Sequence, residues 1–241
     1  MVGMKSPHFR LGANTPHFNS ATLGVISHGT SALSPNLIKE VELREHSAEE
    51  RYEIEGFIRR CFATKHGARI RYFMPRLLGL RGKQGDLIAA VGLRGASNSS
   101  LFLESYLDQP IEAILKSRLG KAVRRDEIIE VGNLSSPYPG VVRWLIVKLT
   151  TMLHDEDYKW VAFTGTSALR NVFSRLGLSP IGLGVATPQY LSLSDRDNWG
   201  SYYDNAPMVM VGDISYGHHC LSKLRNLSRP VHAGMNSIEA A

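Results

Sequence analysis

Cysteine is scarce in this sequence, and long apolar runs are missing. Only two cysteines, Cys61 and Cys220, occur among 241 residues, which excludes a disulfide framework and favours a reducing compartment. No stretch approaches the ~18 uninterrupted apolar residues of a membrane span, and the first residues lack the apolar centre of a signal peptide. We therefore expect a cytoplasmic protein with no transmembrane segment.

The motifs of several well-known sites are missing as well. The sequence has no Walker A loop, no GxGxxG after a strand, no HExxH, no paired CxxC and no GxSxG. These absences argue against a P-loop nucleotide site, a dinucleotide site, a zinc site and a serine nucleophile of the hydrolase type. His218, His219 and Cys220 could ligate a metal, but adjacent residues rarely point at one ion. No metal site is expected.

Positive charge is concentrated near the two ends of the chain. The net charge is +6. Residues 1–36 hold two basic residues and no acid, and residues 214–241 hold three basic residues and one acid, which leaves 23 basic and 21 acidic residues in 37–213. This balance does not indicate the basic groove that a nucleic acid needs, although a transfer RNA donor stays open.

The pattern of the chain predicts one α/β domain between two tails. Residues 1–36 are polar and aperiodic, so we interpret them as a flexible N-terminal arm, and residues 214–241 as a C-terminal tail. Residues 37–213 predict a strand and helix, a hairpin, a helix, two strand-helix units and two final strands. This order indicates a mixed sheet with helices on both faces, in which the strand-helix-strand unit that starts near residue 127 is parallel.

The run EIIEVGNLSS, residues 127–136, places a carboxylate in the middle of an apolar strand. Glu130 could be an edge-strand carboxylate that faces solvent or pairs with an arginine. It could instead be a general base, because burial beside isoleucine and valine would raise its pKa toward the working range. Regular alternation puts Glu130 and Asn133 on opposite faces, but a bulge at Gly132 would bring them together and free a backbone N–H for an oxyanion.

Three separated runs carry a resemblance to a known family. EVGNLSS, VAFTGTSALRNVFSRLGL and WGSYYDNAPMVMVGD closely resemble the thermostable hemolysin family, over roughly residues 40–213. That family in turn resembles the GNAT-type N-acyltransferases, above all the branch of the acyl-homoserine lactone synthases. The resemblance implies a GNAT-like fold in which two central parallel strands splay apart and an acyl thioester lies in the gap. An amine would attack the thioester directly, with Glu130 as the base and the amide near Gly132 or Asn133 polarising the carbonyl.

The same resemblance implies where the donor would bind. The donor-side candidates are Leu134, Ser135, Ser136, Gly140, Thr164, Arg170 and Asn171. Arg170 and Asn171 open the predicted helix after FTGTS, so they could hold a donor phosphate or an acceptor carboxylate at its N-terminus, or they could belong to a solvated helix face. Enzymes that use acetyl-CoA cradle its pyrophosphate on a glycine-rich loop, whereas here Pro137 and Pro139 each remove an N–H donor. An acyl carrier protein is therefore favoured over CoA as the donor.

Aromatic and basic residues are the candidates on the acceptor side. Trp199, Tyr202 and Tyr203 form a cluster that suits a lid or a packing patch better than a base-stacking surface. Arg71 and Arg81, near the early hairpin, are weaker candidates. Phe173 stands where many GNAT enzymes have a tyrosine that protonates the leaving thiolate. That proton would then come from water, or from Tyr202 or Tyr203.

These observations favour an N-acyltransferase that moves an acyl group from a thioester to the amine of a small molecule such as an amino acid. We expect no tightly bound cofactor, only an acyl-thioester co-substrate carried by the phosphopantetheine of a carrier protein or by CoA. Two alternatives stay open. One is a membrane-active cytolysin, which the family name suggests, and the other is an aminoacyl-tRNA-dependent transferase on the same fold.

Overall fold

A computed structural model shows how these patterns are realised. It describes residues 41–227 apart from Asn98 and Pro139. The N-terminal arm expected at residues 1–36 lies outside the described residues, as do residues 228–241 of the expected C-terminal tail. Cys61 and Cys220 are both free thiols.

Seven described strands form one mixed sheet in the spatial order β1-β2-β3-β4-β5-β7-β6. The strands are β1 (Glu42–Glu45), β2 (Arg76–Arg81), β3 (Leu87–Gly95), β4 (Ile128–Ser135), β5 (Trp160–Gly165), β6 (Ile181–Val185) and β7 (Met208–Asp213). β4 and β5 pair in parallel, and the other neighbouring strands pair antiparallel. Because β4 is the central strand, Glu130 is not an edge-strand carboxylate.

Helices cover both faces of the sheet. The α-helices are α1 (Arg51–His66), α2 (Ile111–Leu119), α3 (Val141–Asp155), α4 (Ser167–Arg175), α5 (Leu193–Arg196) and α6 (Ile214–Leu227). The 3-10 segments are η1 (Phe102–Tyr106), η2 (Arg125–Glu127), η3 (Pro188–Tyr190) and η4 (Asp197–Asn205). The expected class, a mixed α/β fold with helices on both faces, is confirmed.

The alternation of β4 supplies two separate cores. Ile129 and Val131 pack on one face of the sheet against Leu145 and Leu149 of α3. Ile128, their neighbour in sequence, packs on the opposite face with η1 and α2. The hydrophobic side chains of α1 form a third cluster with Met74 and Leu77. A strand that is apolar on both faces is what a central position requires.

The first part of the expected C-terminal tail is a packed helix and not a tail. Residues 214–227 form helix α6, and buried Leu221 packs with Ile146 and Val147 of α3. Gly217 lies so close to α3 that an added Cβ would be 3.6 Å from the Thr150 methyl. The sequence did not predict this helix, because the polar run GHHC interrupts its apolar pattern and the residues that bury its apolar face come from other elements. Among the described residues, no helix has the length and apolarity needed to cross a bilayer.

Candidate active site

The centre of the sheet contains a β-bulge in β4. Gly132 pairs with Gly92 of β3, and the next pair joins Ser135 to Ala90, so Asn133 and Leu134 together oppose Val91. The bulge expected at Gly132 therefore lies directly after it. Asn133, not Gly132, adopts the left-handed conformation, with φ 51°, which asparagine tolerates better than most residues.

The bulge reverses the alternation of side chains, as the sequence predicted. Oδ1 of Asn133 accepts a hydrogen bond from the Met74 N–H at 2.9 Å. The same oxygen lies 3.0 Å from the position that a Cβ on Gly92 would occupy. Asn133 therefore lies on the face of Gly92 and Gly132, which is also the face of Glu130, while Leu134 packs into the opposite core.

Gly132 is needed for close packing and not for its backbone angles. A Cβ on Gly132 would overlap the Met74 methyl, and a Cβ on Gly92 would lie 2.6 Å from Met74 Cβ. The two glycines are cross-strand partners, so Met74 fills the space that two side chains would otherwise occupy. This contact explains the glycine in EVGN.

The two parallel strands separate one residue beyond Glu130. Their pairing runs from Ile128 with Trp160 to Val131 with Phe163 and then stops. Beyond that point β4 pairs with β3 as far as Ser135, and β5 pairs with β7 as far as Gly165. The strands thus open into a cleft, as the family resemblance implied.

A cavity of about 600 Å³ runs through this cleft. Its wall along β4 consists of residues 130–136, and Phe163, Thr164 and Thr166 line it at the end of β5. On one side of the sheet the cavity continues between apolar residues of α3 and α4. On the other side it is bounded by the end of α1, by residues 69–74 and by η4. The cleft therefore joins an apolar compartment to a polar and aromatic one.

Glu130 is buried at the point where the strands separate. Only 3% of the residue is exposed. Its Oε2 accepts the Phe102 N–H and its Oε1 accepts the Leu103 N–H, each at 2.9 Å. Desolvation raises the pKa of this carboxyl, although the two amides and the charge of Arg94 act against the increase. Each oxygen keeps a second lone pair, so the carboxylate is held in one orientation and can still accept a proton.

Arg94 lies directly opposite Glu130 in the register of β3 and β4. Its Nη1 is 4.0 Å from Glu130 Oε2, and its side chain is 27% exposed toward the cavity. The sequence interpretation missed this residue. The signal was nonetheless present, because Arg94 is the only charged residue in the apolar run of β3, and the same kind of exception pointed to Glu130.

The aromatic residues of η4 close the second side of the cavity. Trp199 and Tyr202 line it, and the Trp199 ring lies 6.2 Å from Phe62 and 6.1 Å from Phe102. Tyr203 does not line the cavity, but Tyr106 does. The hydroxyl groups of these two tyrosines are hydrogen-bonded to each other at 2.5 Å. The cluster therefore packs as a wall over the site.

The donor-side candidates divide into two groups. Leu134, Ser135, Ser136 and Thr164 line the cavity. Gly140, Arg170 and Asn171 do not. The Arg170 guanidinium instead donates to the carbonyl oxygens of Gly165 and Ala206 at 3.2 and 3.1 Å, and so ties the end of β5 to the segment after η4.

Of the two arginines proposed for the acceptor side, one lines the cavity and the other does not. Arg71 is exposed and lines the cavity. Arg81 lies at the β2–β3 hairpin, where it binds Glu53 at 2.5 Å and the Gly85 carbonyl oxygen at 2.8 Å. Among the described residues, no cluster of three metal-ligating side chains occurs.

Comparison with known families agrees with this geometry. The model of the family described as thermostable hemolysin matches residues 44–218. The chain belongs to the thermostable hemolysin family. The match covers every residue that lines the cleft between β4 and β5. A comparison with curated proteins finds no match.

Solved structures share the fold of this chain. One is FeeM, an N-acyl amino acid synthase from uncultured soil microbes, with 15% identity, a TM-score of 0.55, and coverage of 77% of this chain and 97% of that one. Another is BjaI, a CoA-dependent acyl-homoserine lactone synthase, with 13% identity, a TM-score of 0.52, and coverage of 78% and 89%. These likenesses confirm the expected GNAT-like fold.

Proposed function

We propose that this protein is an N-acyltransferase that moves an acyl group from a thioester to the amine of a small molecule. The observation that carries the proposal is the position of Glu130, a buried carboxylate with free lone pairs where two parallel strands open into a cavity. The similarity to an N-acyl amino acid synthase and to an acyl-homoserine lactone synthase supports the same reaction class.

The reaction needs a base but no covalent acyl-enzyme. The acceptor ammonium donates a hydrogen bond to Glu130 and transfers one proton to it, which leaves a neutral amine. The amine nitrogen attacks the thioester carbonyl carbon, the new C–N bond forms, and the carbonyl oxygen becomes an oxyanion. The carbonyl re-forms as the C–S bond breaks, the thiolate leaves and takes a proton, and the attacking nitrogen gives its second proton to water. Glu130 then releases the first proton to solvent and is ready for another cycle.

The bulge supplies the stabilisation that an oxyanion needs. A bulge leaves one residue outside the regular ladder, so a backbone N–H at Asn133 or Leu134 can point into the cleft. One such donor is worth roughly 10²- to 10³-fold in rate. Phe173 carries no hydroxyl, so the thiolate takes its proton from water or from Tyr202, whose ring lines the same cavity.

The apolar compartment suits a long acyl chain. Helix α3 lines it from Val142 to Leu153, a distance of about 16 Å at 1.5 Å per residue. An extended chain spans roughly 3.5 Å for every three bonds, so a chain of about a dozen carbons would fill this length. Val172 and Phe173 of α4 form the facing wall. The donor is therefore a medium- or long-chain acyl thioester.

The turn before α3 favours an acyl carrier protein as the carrier of that thioester. Pro137 has no N–H, and the Val141 and Arg143 amides donate to the carbonyl oxygens of Tyr138 and Gly140. Few amides are left to cradle a pyrophosphate, which CoA has and phosphopantetheine on a carrier protein lacks. Since acyl carrier proteins work in the cytoplasm, we expect the same location for this protein.

An assay of thiol release tests the proposal. The protein is incubated with acyl carrier protein thioesters and with acyl-CoA of eight to sixteen carbons, each with a pool of amines. We expect thiol release that depends on an amine and is faster with the carrier-protein donor. If every donor stays intact while the purified protein lyses liposomes, the acyltransferase is contradicted and a cytolysin takes its place.

A further inference from the structure

Arg94 has unused hydrogen-bonding capacity beside the proposed base. A guanidinium has five N–H donors. Within the described part of the chain, the contact that Arg94 makes to an acid is the 4.0 Å approach to Glu130, which is too long for a hydrogen bond. Among the described residues, the donors of Arg94 therefore face the cavity without a carboxylate at hydrogen-bond distance.

The other arginines of the sheet and its rim show the contrast. Arg76 binds Glu156 through both terminal nitrogens at 2.7 Å and Glu45 through Nε at 2.7 Å. Arg125 binds Glu104 and Glu112 at 2.7 and 2.6 Å and two carbonyl oxygens in addition. Both are saturated structural ion pairs. Arg94 differs because its nearest acid already accepts two backbone amides.

A buried anion and an underused cation 4.0 Å apart are complementary to a zwitterion that contacts both from the cavity. We propose that Arg94 binds the carboxylate of the acceptor while Glu130 binds its ammonium, so that the acceptor is an α-amino acid. In such a molecule the two charges are separated by a single carbon, which matches the separation of Arg94 and Glu130. This inference rests on the proposed acyltransferase function and names its substrate class.

The surrounding wall indicates the side chain of that amino acid. Phe102 and Trp199 line the cavity on the same side of the sheet as Arg94 and Glu130, with their rings 6.1 Å apart. Aromatic walls favour apolar and aromatic groups through area burial and ring contacts. An amino acid held by its two charges would direct its side chain toward this wall, so apolar and aromatic amino acids should be preferred.

A simpler role for Arg94 would be to neutralise Glu130. In that case its removal would raise the pKa of Glu130 and slow the acylation of all amines by the same factor. Binding of a carboxylate predicts a selective loss instead. The ratio of rates for an acid and its neutral analogue therefore separates the two roles, because any effect on Glu130 cancels in the ratio.

The experiment compares the standard amino acids with their carboxamides as acceptors, using the preferred thioester donor. Wild type should acylate acids in preference to amides. Arg94→Gln should lower kcat/KM for the acids by about 10- to 100-fold relative to the amides, the size of a lost charge-assisted pair. Arg94→Lys keeps the positive charge but loses the paired N–H donors of the guanidinium, so its loss of kcat/KM for the acids should be smaller than that of Arg94→Gln. Arg118→Gln, which removes an exposed arginine that does not line the cavity, should leave the ratio unchanged.

The outcomes distinguish this inference from the function on which it rests. Acylation of amides and acids at equal rates, or an Arg94→Gln variant with an unchanged ratio, overturns the amino acid acceptor and leaves the acyltransferase standing. Absence of acylation with every amine overturns the acyltransferase itself. Thermal unfolding of each variant shows that the comparison is made on folded protein.

Discussion

Glu130 illustrates how far a single residue can be interpreted from sequence. Its place in an apolar run predicted burial and a raised pKa, and both are found. The hydrogen bonds that orient it were not predictable, because the amides of Phe102 and Leu103 come from a segment about 27 residues away with no periodic pattern. The sequence therefore identified the residue, whereas the hydrogen bonds that hold its carboxylate could be found only in the tertiary structure.

Other residues show the same limit. Arg170 was assigned to the donor because it opens a helix, a common place for a phosphate. Its side chain turns back to the Gly165 and Ala206 carbonyl oxygens instead. Arg94 was overlooked even though it interrupts β3 as Glu130 interrupts β4. Sequence position predicts which element carries a side chain but not the direction in which a long side chain extends.

The pH dependence of the reaction follows from the burial of Glu130. A base works in its ionised form, and burial disfavours that form, so the pKa of Glu130 is raised. We therefore expect kcat/KM to fall as the pH drops, with a midpoint above ~4.3, the ordinary value for glutamate. A pH–rate profile of thiol release measures this midpoint. A midpoint at or below the ordinary value would mean that Glu130 is not the base.

At the scale of elements, regular strands and helices were the predictable part. The period of two and the helical spacing gave the order of the elements, and the bulge followed from one glycine in a strand. The segments η1 and η4 were not foreseen as structured, because each is fixed by partners elsewhere. Glu130 holds the first amides of η1, and Asn198 of η4 accepts the Arg69 N–H at 2.6 Å.

The bulge makes a prediction about Asn133. Asn133→Ala removes the acceptor of the Met74 N–H and places alanine at φ 51°. Loss of the hydrogen bond and left-handed strain should together lower the free energy of unfolding by about 2–4 kcal/mol. Asn133→Gly keeps the conformation and loses only the hydrogen bond, so it should cost clearly less. Denaturant unfolding checks the order, and an equal cost for both variants would rule out strain at this position.

The η4 wall makes a second prediction. Gly200 has φ 49°, and a Cβ there would overlap the His66 carbonyl oxygen. Gly200→Ala should therefore displace η4 and lower the free energy of unfolding by about 3–5 kcal/mol.

Gly67→Ala is the matched control for this substitution. Gly67 has φ 65°, but an added Cβ would have no atom within 4 Å. Its cost should be about 1–2 kcal/mol, from left-handed strain alone. The KM for the acceptor should rise in the Gly200 variant only. Similar stability and KM in the two variants would show that η4 does not depend on contact with α1.

At the scale of the whole molecule, the fold and the family are established and the chemistry is proposed. The fold could be predicted because three separated runs resemble one family and because the element order agrees with it. The cavity could not be predicted, since its two compartments combine side chains from α1, α3, α4 and η4. The choice of acceptor and the length of the acyl chain depend on those cavity walls, so they can be inferred only from the three-dimensional structure.

The two glutamates of the η1 region permit the most direct test of Glu130 as the base in an acyltransferase. Glu104 also accepts two backbone amides, from Leu101 at 2.8 Å and Ile111 at 3.0 Å, but it does not line the cavity. Both Glu130→Gln and Glu104→Gln replace an acceptor oxygen next to η1 by a donor. Only Glu130→Gln removes the proposed base.

The measurement is kcat/KM for amide formation by both variants, with thiol release followed in parallel. Glu130→Gln should lose about 10²- to 10⁴-fold, the usual contribution of a general base, while folded Glu104→Gln keeps most of its rate and each thiol released matches one amide formed. Equal losses in the two variants, or an unchanged rate in Glu130→Gln, would contradict Glu130 as the base of this reaction.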